Sequence, residues 1–295
     1  MEKDQVVILE KRDLVLISGE DAGEFLQNII TNDIKKVSLH NSIFAALLTP
    51  QGKYLNEFFI VKNQNGYLLD CSENSAKELI ENFNKYKLRS KVNIKDLSSK
   101  FVIGVINSEK FHELQKEIGS DENTINFRDT PIFSDPRNEK LGARILSSLE
   151  NLYLTVKKLK LKIVNESKYY SQAHKLSIPE IGLHNLKNKL FGLEANFEKL
   201  QAIDFKKGCF IGQENTARMK LKNKLRKKLI ALEAKNDLNL GADLFFEGEI
   251  IGKILINKPY PFAIINLKDS DEDYYNNKDI NVEDQKVKLI SNEKN

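Results

Sequence analysis

Lys207-Gly208-Cys209-Phe210-Ile211-Gly212-Gln213-Glu214 is the most informative stretch of this 295-residue chain. It places one thiol between two glycines, with paired lysines before the thiol and an amide–carboxylate pair after it. Glycine lets the backbone turn sharply or approach another group closely. Positive charge at Lys206 and Lys207 favours the thiolate, which is the reactive form of cysteine. The pattern therefore favours a reactive thiol at Cys209, and the alternative is a buried, inert cysteine near the end of a strand.

The same octapeptide resembles the K-G-C-[FY]-x-G-Q-E signature of the YgfZ family, folate-binding relatives of the T-protein of the glycine cleavage system. Further segments resemble this family in order and spacing, and the resemblance runs from about residue 14 to residue 218. These segments are Leu16–Ala22, Phe25–Gln27, Thr31–Asp33, Leu48–Lys53, Asp135–Arg137, Leu141–Arg144, Ile178–Glu180 and Glu194–Phe197.

The resemblance implies an α+β fold. T-protein-like chains form a ring of interleaved N-terminal α+β subdomains that is closed by a small C-terminal β-barrel, with the folate in the central channel. We expect a folate-binding region over residues 1–222, with an inner, ferredoxin-like subdomain at about 43–130, and a barrel over 223–295. The residue pattern agrees, since strands and helices alternate between 43 and 130 and short strands separated by Gly and Pro turns follow residue 228.

Hydrophobic periodicity predicts the elements. One helix carries Ala22, Phe25, Leu26 and Ile29 behind an N-cap at Ser18, and another carries Ala76, Leu79 and Phe83 behind Ser72. Predicted strands are Ile43–Leu48, Tyr54–Val61, Tyr67–Asp70, Phe101–Ile106, Gly142–Leu146, Leu152–Val156, Leu229–Glu233, Glu249–Ile256 and Phe262–Leu267. Further predicted helices cover Lys158–Leu176 and Leu186–Phe191, and the basic run Arg218–Lys228 is predicted to form one or two exposed strands.

Composition narrows the function classes. Lys and Arg number 46 against 42 Asp and Glu, so bulk charge does not make the chain a polyanion binder. Cys71 and Cys209 lie far apart, which disfavours a disulfide framework, and two cysteines alone do not hold an iron–sulfur cluster. The four histidines lack zinc-site spacing, so no metal site is expected. Without an export signal or a membrane-spanning apolar run, we expect a cytoplasmic protein with no membrane partner, of unspecified oligomeric state.

The resemblance also implies a folate site. In the T-protein pattern an L-x-L-E-A segment supplies a carboxylate for the pterin, and Leu193-Glu194-Ala195 resembles it. A reduced pterin offers a ring N–H beside an exocyclic amine, which one carboxylate accepts in bidentate fashion. Glu194 is therefore the first candidate ligand for tetrahydrofolate, with Asn196 as a second polar contact; a surface glutamate on a helix is the alternative.

Other candidate cofactor-binding residues are polar groups of the family motifs. Arg137 and Arg144 would bind a carboxylate tail or, alternatively, brace the neighbouring backbone. Lys207, Gln213 and Glu214 flank the motif thiol and supply hydrogen-bond donors and acceptors.

The sequence departs from the enzymatic relatives at Asn56-Glu57. T-protein-like sequences carry an Asp-Asp pair at this point, and one of those aspartates serves aminomethyl transfer. Asn does not exchange a proton in the working pH range, and Glu57 places its carboxylate one methylene further out. Whether the chain is an enzyme is thus left open, although the folate site does not depend on this pair.

The resemblance implies a tetrahydrofolate-binding protein that supports iron–sulfur cluster assembly or repair, and thereby tRNA modification. Cys209 would act near the folate channel as nucleophile, redox group or transient cluster ligand, with iron–sulfur client proteins as partners. One alternative is a folate-dependent one-carbon transferase that uses Glu57. A second is a non-catalytic RNA-binding or scaffold module that uses residues 218–228, a run that could equally be a solvated strand face or a site for a folate polyglutamate tail.

Overall fold

The computed structural model describes residues 1–222, 225–269, 271 and 273–290, which divide into two compact units. The first unit contains residues 1–48, 55–169 and 198–211, and the second contains 49–54, 170–197 and the described residues from 212 onward. The elements are β1 (Gln5–Leu9), β2 (Arg12–Ser18), α1 (Ala22–Ile29), β3 (Ile43–Leu48), β4 (Tyr54–Asn63), β5 (Gly66–Ser72), α2 (Ala76–Lys87), β6 (Asn93–Asp96), β7 (Val102–Ile106), α3 (Ser108–Ile118), β8 (Thr124–Phe127), β9 (Thr130–Ser134), β10 (Ala143–Ser147), α4 (Leu149–Lys158), β11 (Lys162–Val164), α5 (Ser167–Lys175), α6 (Gln213–Leu221), β12 (Lys227–Glu233), β13 (Asp243–Phe246), β14 (Glu249–Ile256), β15 (Phe262–Asn266), β16 (Ile280–Val282) and β17 (Gln285–Leu289).

The first unit consists of two sheets, each covered by helices on its outer face. One sheet has the strand order β3-β4-β5-β2-β6 and packs against α1 and α2, and the other has the order β11-β1-β7-β10-β9-β8 and packs against α3 and α4. The inner faces meet at Phe59 and Phe133, whose ring centroids are 5.8 Å apart. The interleaved α+β architecture is therefore confirmed, and the strands between residues 43 and 130 are divided between the two sheets.

The sequence of helix α1 has the apolar spacing that is typical of a helix with one buried face. Ala22, Phe25, Leu26 and Ile29 recur at helical spacing and are all buried, as predicted. The predicted N-cap at Ser18 is wrong, because Ser18 ends β2 and Asp21 occupies the N-cap position. The predicted cap at Ser72 is wrong as well, because that residue ends β5 and its hydroxyl donates a 2.9 Å hydrogen bond to Glu57.

Residues 149–191 differ from the prediction. The strand predicted over Leu152–Val156 lies within α4, because Ser148 caps that helix and its buried residues recur at helical spacing. The single helix predicted over Lys158–Leu176 is interrupted by β11, which pairs in parallel with β1, and helix resumes as α5. The chain is a short 3-10 helix at Leu183–Leu186, so the helix predicted over Leu186–Phe191 is wrong too.

The second unit contains a closed six-stranded barrel with the order β12-β15-β14-β13-β16-β17. The three barrel strands expected from the sequence correspond to β12, β14 and β15, and alternate side chains of these strands fill the barrel core. The predicted C-terminal barrel is confirmed. The domain boundary predicted at residue 222 stays a prediction. Both compact units contain chain segments that precede this residue, so the units are not divided at a single point in the sequence.

The basic run was expected to be strand throughout, but its first residues are helical. Arg218 and Lys220 lie on α6 and are exposed, whereas Lys227 and Lys228 begin β12. Lys224 of this run lies outside the described residues. The strand prediction is wrong for residues 218–221, where α6 leaves Leu221 85% exposed, and it is confirmed from Lys227 onward, where β12 begins and Leu229 is fully buried.

Within the described ranges, none of the helices is both long enough and apolar enough to cross a membrane.

Candidate functional site

In the second unit, the turn at residues 49–53 contacts both the loop that contains Glu194 and the start of α6. The carbonyl of Gly52 accepts a 3.3 Å hydrogen bond from Gly192 N–H, and the carbonyl of Gln51 accepts a 3.0 Å bond from the Asn215 side chain. Gly52 has φ +82°, and a Cβ there would lie 3.2 Å from the Gly212 carbonyl oxygen. Only glycine suits both this backbone angle and this approach, so the turn fixes the loop containing Glu194 and the start of α6.

Glu194 projects a carboxylate from that loop in a partly buried position. Its Oε2 accepts a 2.9 Å hydrogen bond from Phe191 N–H, and no described residue donates to Oε1. Burial raises the pKa of Glu194, an effect that the Phe191 N–H, Lys227 and Lys53 oppose. The site therefore offers one oriented carboxylate oxygen to a hydrogen-bond donor.

Asn196 secures the same loop to the barrel. Its Nδ2 donates a 2.6 Å hydrogen bond to the Leu229 carbonyl, and Leu229 N–H donates a 2.8 Å bond to the Glu194 carbonyl. The residue has φ +63°, a left-handed conformation that asparagine tolerates better than most side chains. This geometry gives Asn196 a role in fixing the loop backbone, and its direct contact with a ligand stays a prediction.

We expect Glu194→Gln to be at least as stable as the native chain at pH 7. The pKa of Glu194 in the folded protein lies above its ordinary value of 4.5. The free energy of unfolding therefore falls as pH rises from 4.5 through the folded-state pKa, because the carboxylate ionises less readily in the folded protein. Glutamine is neutral and still accepts from Phe191 N–H. Urea unfolding of both proteins between pH 4 and pH 8 measures this, and the variant's advantage should vanish below about pH 4.5. A variant markedly less stable at pH 7 would contradict the explanation by burial.

Gln213 and Glu214 lie in the first turn of α6, immediately after Gly212. Glu214 is exposed, and a carboxylate at a helix N-terminus is favourable for the helix dipole. Gln213 is partly buried. Both residues therefore belong to the start of α6 that the 49–53 turn contacts, and their binding of a cofactor stays a prediction.

In the first unit, both candidate arginines are buried in a charged cluster between the two sheets. Arg144 is fully buried and donates to Asp70 at 2.9 Å and to the Tyr169 hydroxyl at 2.5 Å. Arg137 binds the Asp135 carboxylate with two nitrogens, at 2.9 Å and 2.6 Å. Each guanidinium is thus bound by a carboxylate of the protein, and its binding of a cofactor stays a prediction.

Arg12, Asp70 and Phe59 also belong to this cluster, although no sequence motif marks them. Arg12 Nε donates to Asp70 at 2.6 Å, and the guanidinium carbons of Arg12, Arg137 and Arg144 lie 5.8, 4.6 and 4.0 Å from the ring centroid of Phe59. One signal was available. Asp70 follows an apolar run and pairs with Phe59 across the sheet, so strand alternation places its charge on a buried face where an arginine is needed.

The Asn56-Glu57 pair is also buried in the first unit. Asn56 is 1% exposed, and neither its Nδ2 nor its Oδ1 has a hydrogen-bond partner among the described residues. Glu57 is 8% exposed and accepts from the Ser72 hydroxyl. An unpaired buried amide costs about 1–3 kcal/mol, so it marks a position where a polar ligand or an ordered water would be stabilising.

Cys209 and Cys71 differ completely in environment. Cys209 is exposed, as a reactive thiol requires. Cys71 is buried, and burial raises its pKa well above the ordinary value, so it stays a neutral thiol. The expectation that Cys209 is reactive rather than buried therefore fits its exposure, although its chemistry stays a prediction.

Lys207 occupies a position that the sequence did not reveal. It is buried, and its ammonium donates to the carbonyl oxygens of Gln27, Ile30 and Asn32 at 2.7, 2.6 and 3.0 Å. Burial lowers its pKa to about 8, against the opposing effect of Asp33 and Asp204. Its three N–H donors thus bind backbone carbonyls, which disfavours a direct hydrogen bond from Lys207 to a ligand or to the Cys209 thiol.

The comparisons with known proteins agree on one family. No family model matches the chain. The iron-sulfur cluster assembly factor IBA57 homolog, mitochondrial, of Neurospora crassa is 30% identical over 232 residues, covering 75% of this chain and 52% of that protein. The IBA57 homolog of Dictyostelium discoideum is 26% identical, covering 76% and 61%. The tRNA-modifying protein YgfZ of Buchnera aphidicola subsp. Baizongia pistaciae is 26% identical, covering 74% and 70%.

Among solved structures, the glycine cleavage system aminomethyltransferase T from Bartonella henselae matches with a TM-score of 0.70 and 13% identity, covering 97% of this chain and 85% of that one. The chain thus has the aminomethyltransferase T fold, with mixed α/β sheets and a closed six-stranded barrel. It is similar in sequence to the IBA57 homologs and to YgfZ, so the predicted resemblance is confirmed. The chain spans about half the length of the first IBA57 homologs that it matches.

Proposed function

We propose that this chain binds tetrahydrofolate and supports the assembly or repair of iron–sulfur clusters, and through them the enzymes that modify tRNA. Two kinds of observation support this. Relatives that cover three quarters of the chain are named as iron–sulfur cluster assembly factors and as a tRNA-modifying protein. The fold is that of the aminomethyltransferase T, the class for which the sequence resemblance implies a folate site. The cluster is cargo in this proposal, and the folate is the bound cofactor.

The observation that carries the folate part is the state of Glu194. One carboxylate oxygen is held by Phe191 N–H, which fixes the orientation of the group, and no described residue donates to the other. Partial burial strengthens any hydrogen bond that this oxygen accepts, because water competes less. An N–H donor of a reduced pterin, from the ring or from the exocyclic amine, fits such an acceptor. When bound, the folate supplies a carrier for one-carbon units.

Cys209 is the proposed reactive group. Its thiol is exposed, and a thiolate is a soft ligand that suits iron–sulfur chemistry. A role as nucleophile, redox group or transient cluster ligand requires this exposure. Client proteins that receive a cluster are the partners that this role requires.

One-carbon transfer is less well supported than folate binding alone. The amide of Asn56 does not exchange a proton, and the Glu57 carboxylate is buried and bonded to Ser72. Neither side chain is thus suited to the acid–base step that the aspartate pair serves in the transferases. This favours a folate-binding protein over a transferase.

Calorimetric titration of the purified protein with tetrahydrofolate, under reducing conditions, tests the proposal. We expect a Kd of about 1 μM or tighter for the native chain. Glu194→Gln should weaken binding about 10- to 100-fold, because a hydrogen bond to a charged group contributes roughly 1.5–3 kcal/mol.

Glu233→Gln is the matched control, since Glu233 is an exposed carboxylate on β12 of the same unit. It should bind as tightly as the native protein. If the native protein does not bind the folate, the cofactor part of the proposal fails, and tRNA binding by the exposed cations of α6 becomes the next hypothesis to measure. If all three proteins bind equally, the assignment of Glu194 fails.

A further inference from the structure

The segment that contains Cys209 is joined to the end of α1 by side-chain contacts within the first unit. Thr31 donates a 2.6 Å hydrogen bond to the Ala202 carbonyl, and Asn32 donates a 2.8 Å bond to the Gln201 carbonyl. Asp204 pairs with Lys36 at 2.7 Å. These contacts bring residues 201–204 against residues 31–36, and the chain then continues directly into the motif.

Lys207 completes this connection. Its ammonium binds the carbonyl of Gln27 in the last turn of α1, where helix carbonyls lack intrahelical donors and carry partial negative charge. It also binds the carbonyls of the C-cap residue Ile30 and of Asn32 just beyond it. Helix α1 has no basic residue in its own last turn. A lysine about 180 positions away in the sequence therefore supplies the positive charge and the donors that this helix end needs.

The same ammonium also contacts the residue on the other side of the thiol. It lies 5.2 Å from the ring centroid of Phe210, a cation–π distance, and that ring is buried. Between these two fixed residues lie Gly208 and Cys209, which are both exposed. A Cβ added at Gly208 would meet nothing within 4 Å. The motif is thus a two-residue exposed tip with both flanks fixed by one buried charge.

We infer that Lys207 is the positioning residue for Cys209: it caps α1 and holds Phe210, and so presents the thiol at a fixed place on the surface. The tetrahedral ammonium reaches three convergent carbonyls, which the planar fork of an arginine does not reproduce. Lys206 is exposed and makes no such contacts. The inference rests on the proposed function only for what the positioned thiol does afterwards.

The test uses a nitroxide spin label attached to Cys209 of the purified protein, since Cys71 is buried and protected from labelling. Lys207→Met keeps an apolar stem of similar length and removes the donors, and Lys206→Met removes one neighbouring charge as the control. We expect the label in Lys207→Met to tumble much more freely than in the native protein. Amide exchange at residues 26–32 and 205–211 should rise at least about tenfold, with the rest of the first unit unchanged.

Lys207→Arg should resemble Lys207→Met in both measurements, whereas Lys206→Met should match the native protein. Equal label spectra for the native protein and Lys207→Met would overturn the inference. A rise in exchange across the whole first unit would also overturn it, because that result indicates general destabilisation instead of a local effect.

Activity in cells separates this inference from the proposed function. With iron–sulfur enzyme activity as the readout, Lys207→Met should lose as much as Cys209→Ser, and the double variant should lose no more than either. If Cys209→Ser has no effect in cells while the label still responds to Lys207→Met, the proposed function of the thiol fails and the positioning role stands.

Discussion

Arg144→Met is expected to lower the free energy of unfolding by about 3–5 kcal/mol, the usual cost of removing one partner from a buried ion pair. Arg144 is fully buried and bound to Asp70, which is itself fully buried, and to the Tyr169 hydroxyl. Without the guanidinium, the buried Asp70 carboxylate loses one of the positive charges that stabilise it. Methionine fills the space but donates no hydrogen bond.

Urea unfolding at pH 7 measures this effect, with Arg89→Met as the control because Arg89 is exposed. The control should change stability by no more than about 0.5 kcal/mol. The effects of Arg144→Met and Asp70→Asn should not add in a double-mutant cycle, since the two residues interact directly. A loss below about 1 kcal/mol for Arg144→Met would show that the cluster is not a structural brace, and would return Arg144 to the candidates for ligand binding.

Cys209→Ser is expected to abolish the support of iron–sulfur enzymes in cells that lack the native chain. Serine is close in size, but its hydroxyl is neither a soft metal ligand nor a ready nucleophile at neutral pH. Because the residue is exposed, the substitution should leave stability and tetrahydrofolate affinity unchanged. The measurement is the activity of iron–sulfur enzymes and the level of tRNA modification that depends on them, with folate titration on the purified variant.

Cys71→Ala is the matched control for the other cysteine. That thiol is buried and neutral, so its loss should reduce the free energy of unfolding through a small cavity. The support of iron–sulfur enzymes in cells should not change. Full activity of Cys209→Ser in cells would rule out a chemical role for the thiol. The chain would then be a folate-binding protein that supports iron–sulfur enzymes without using Cys209.

Much of the fold was predictable because its elements bury regular stripes of apolar residues. The stripe on α1 and the alternation in β12, β14 and β15 each identify one element and one buried face. Errors came where local signals competed. Leu152 and Val156 suit strand as well as helix, and only the cap at Ser148 and the packing beside Gly104 decide for helix. In the basic run, alternation of Lys with Leu is typical of a strand, yet α6 leaves Leu221 exposed.

The sequence by itself determined the family, the barrel and the identity of the exposed thiol, because local motifs and periodicity carry that information. Only the tertiary structure decided which charges are buried against partners within the protein. Arg144 and Lys207 carry the same formal charge as any surface cation, but the fold buries each of them against acceptors that come from distant positions: Asp70 and the end of α1. The cost of burying an unpaired charge is what makes such partners obligatory, and partners so far apart in the chain leave no local pattern.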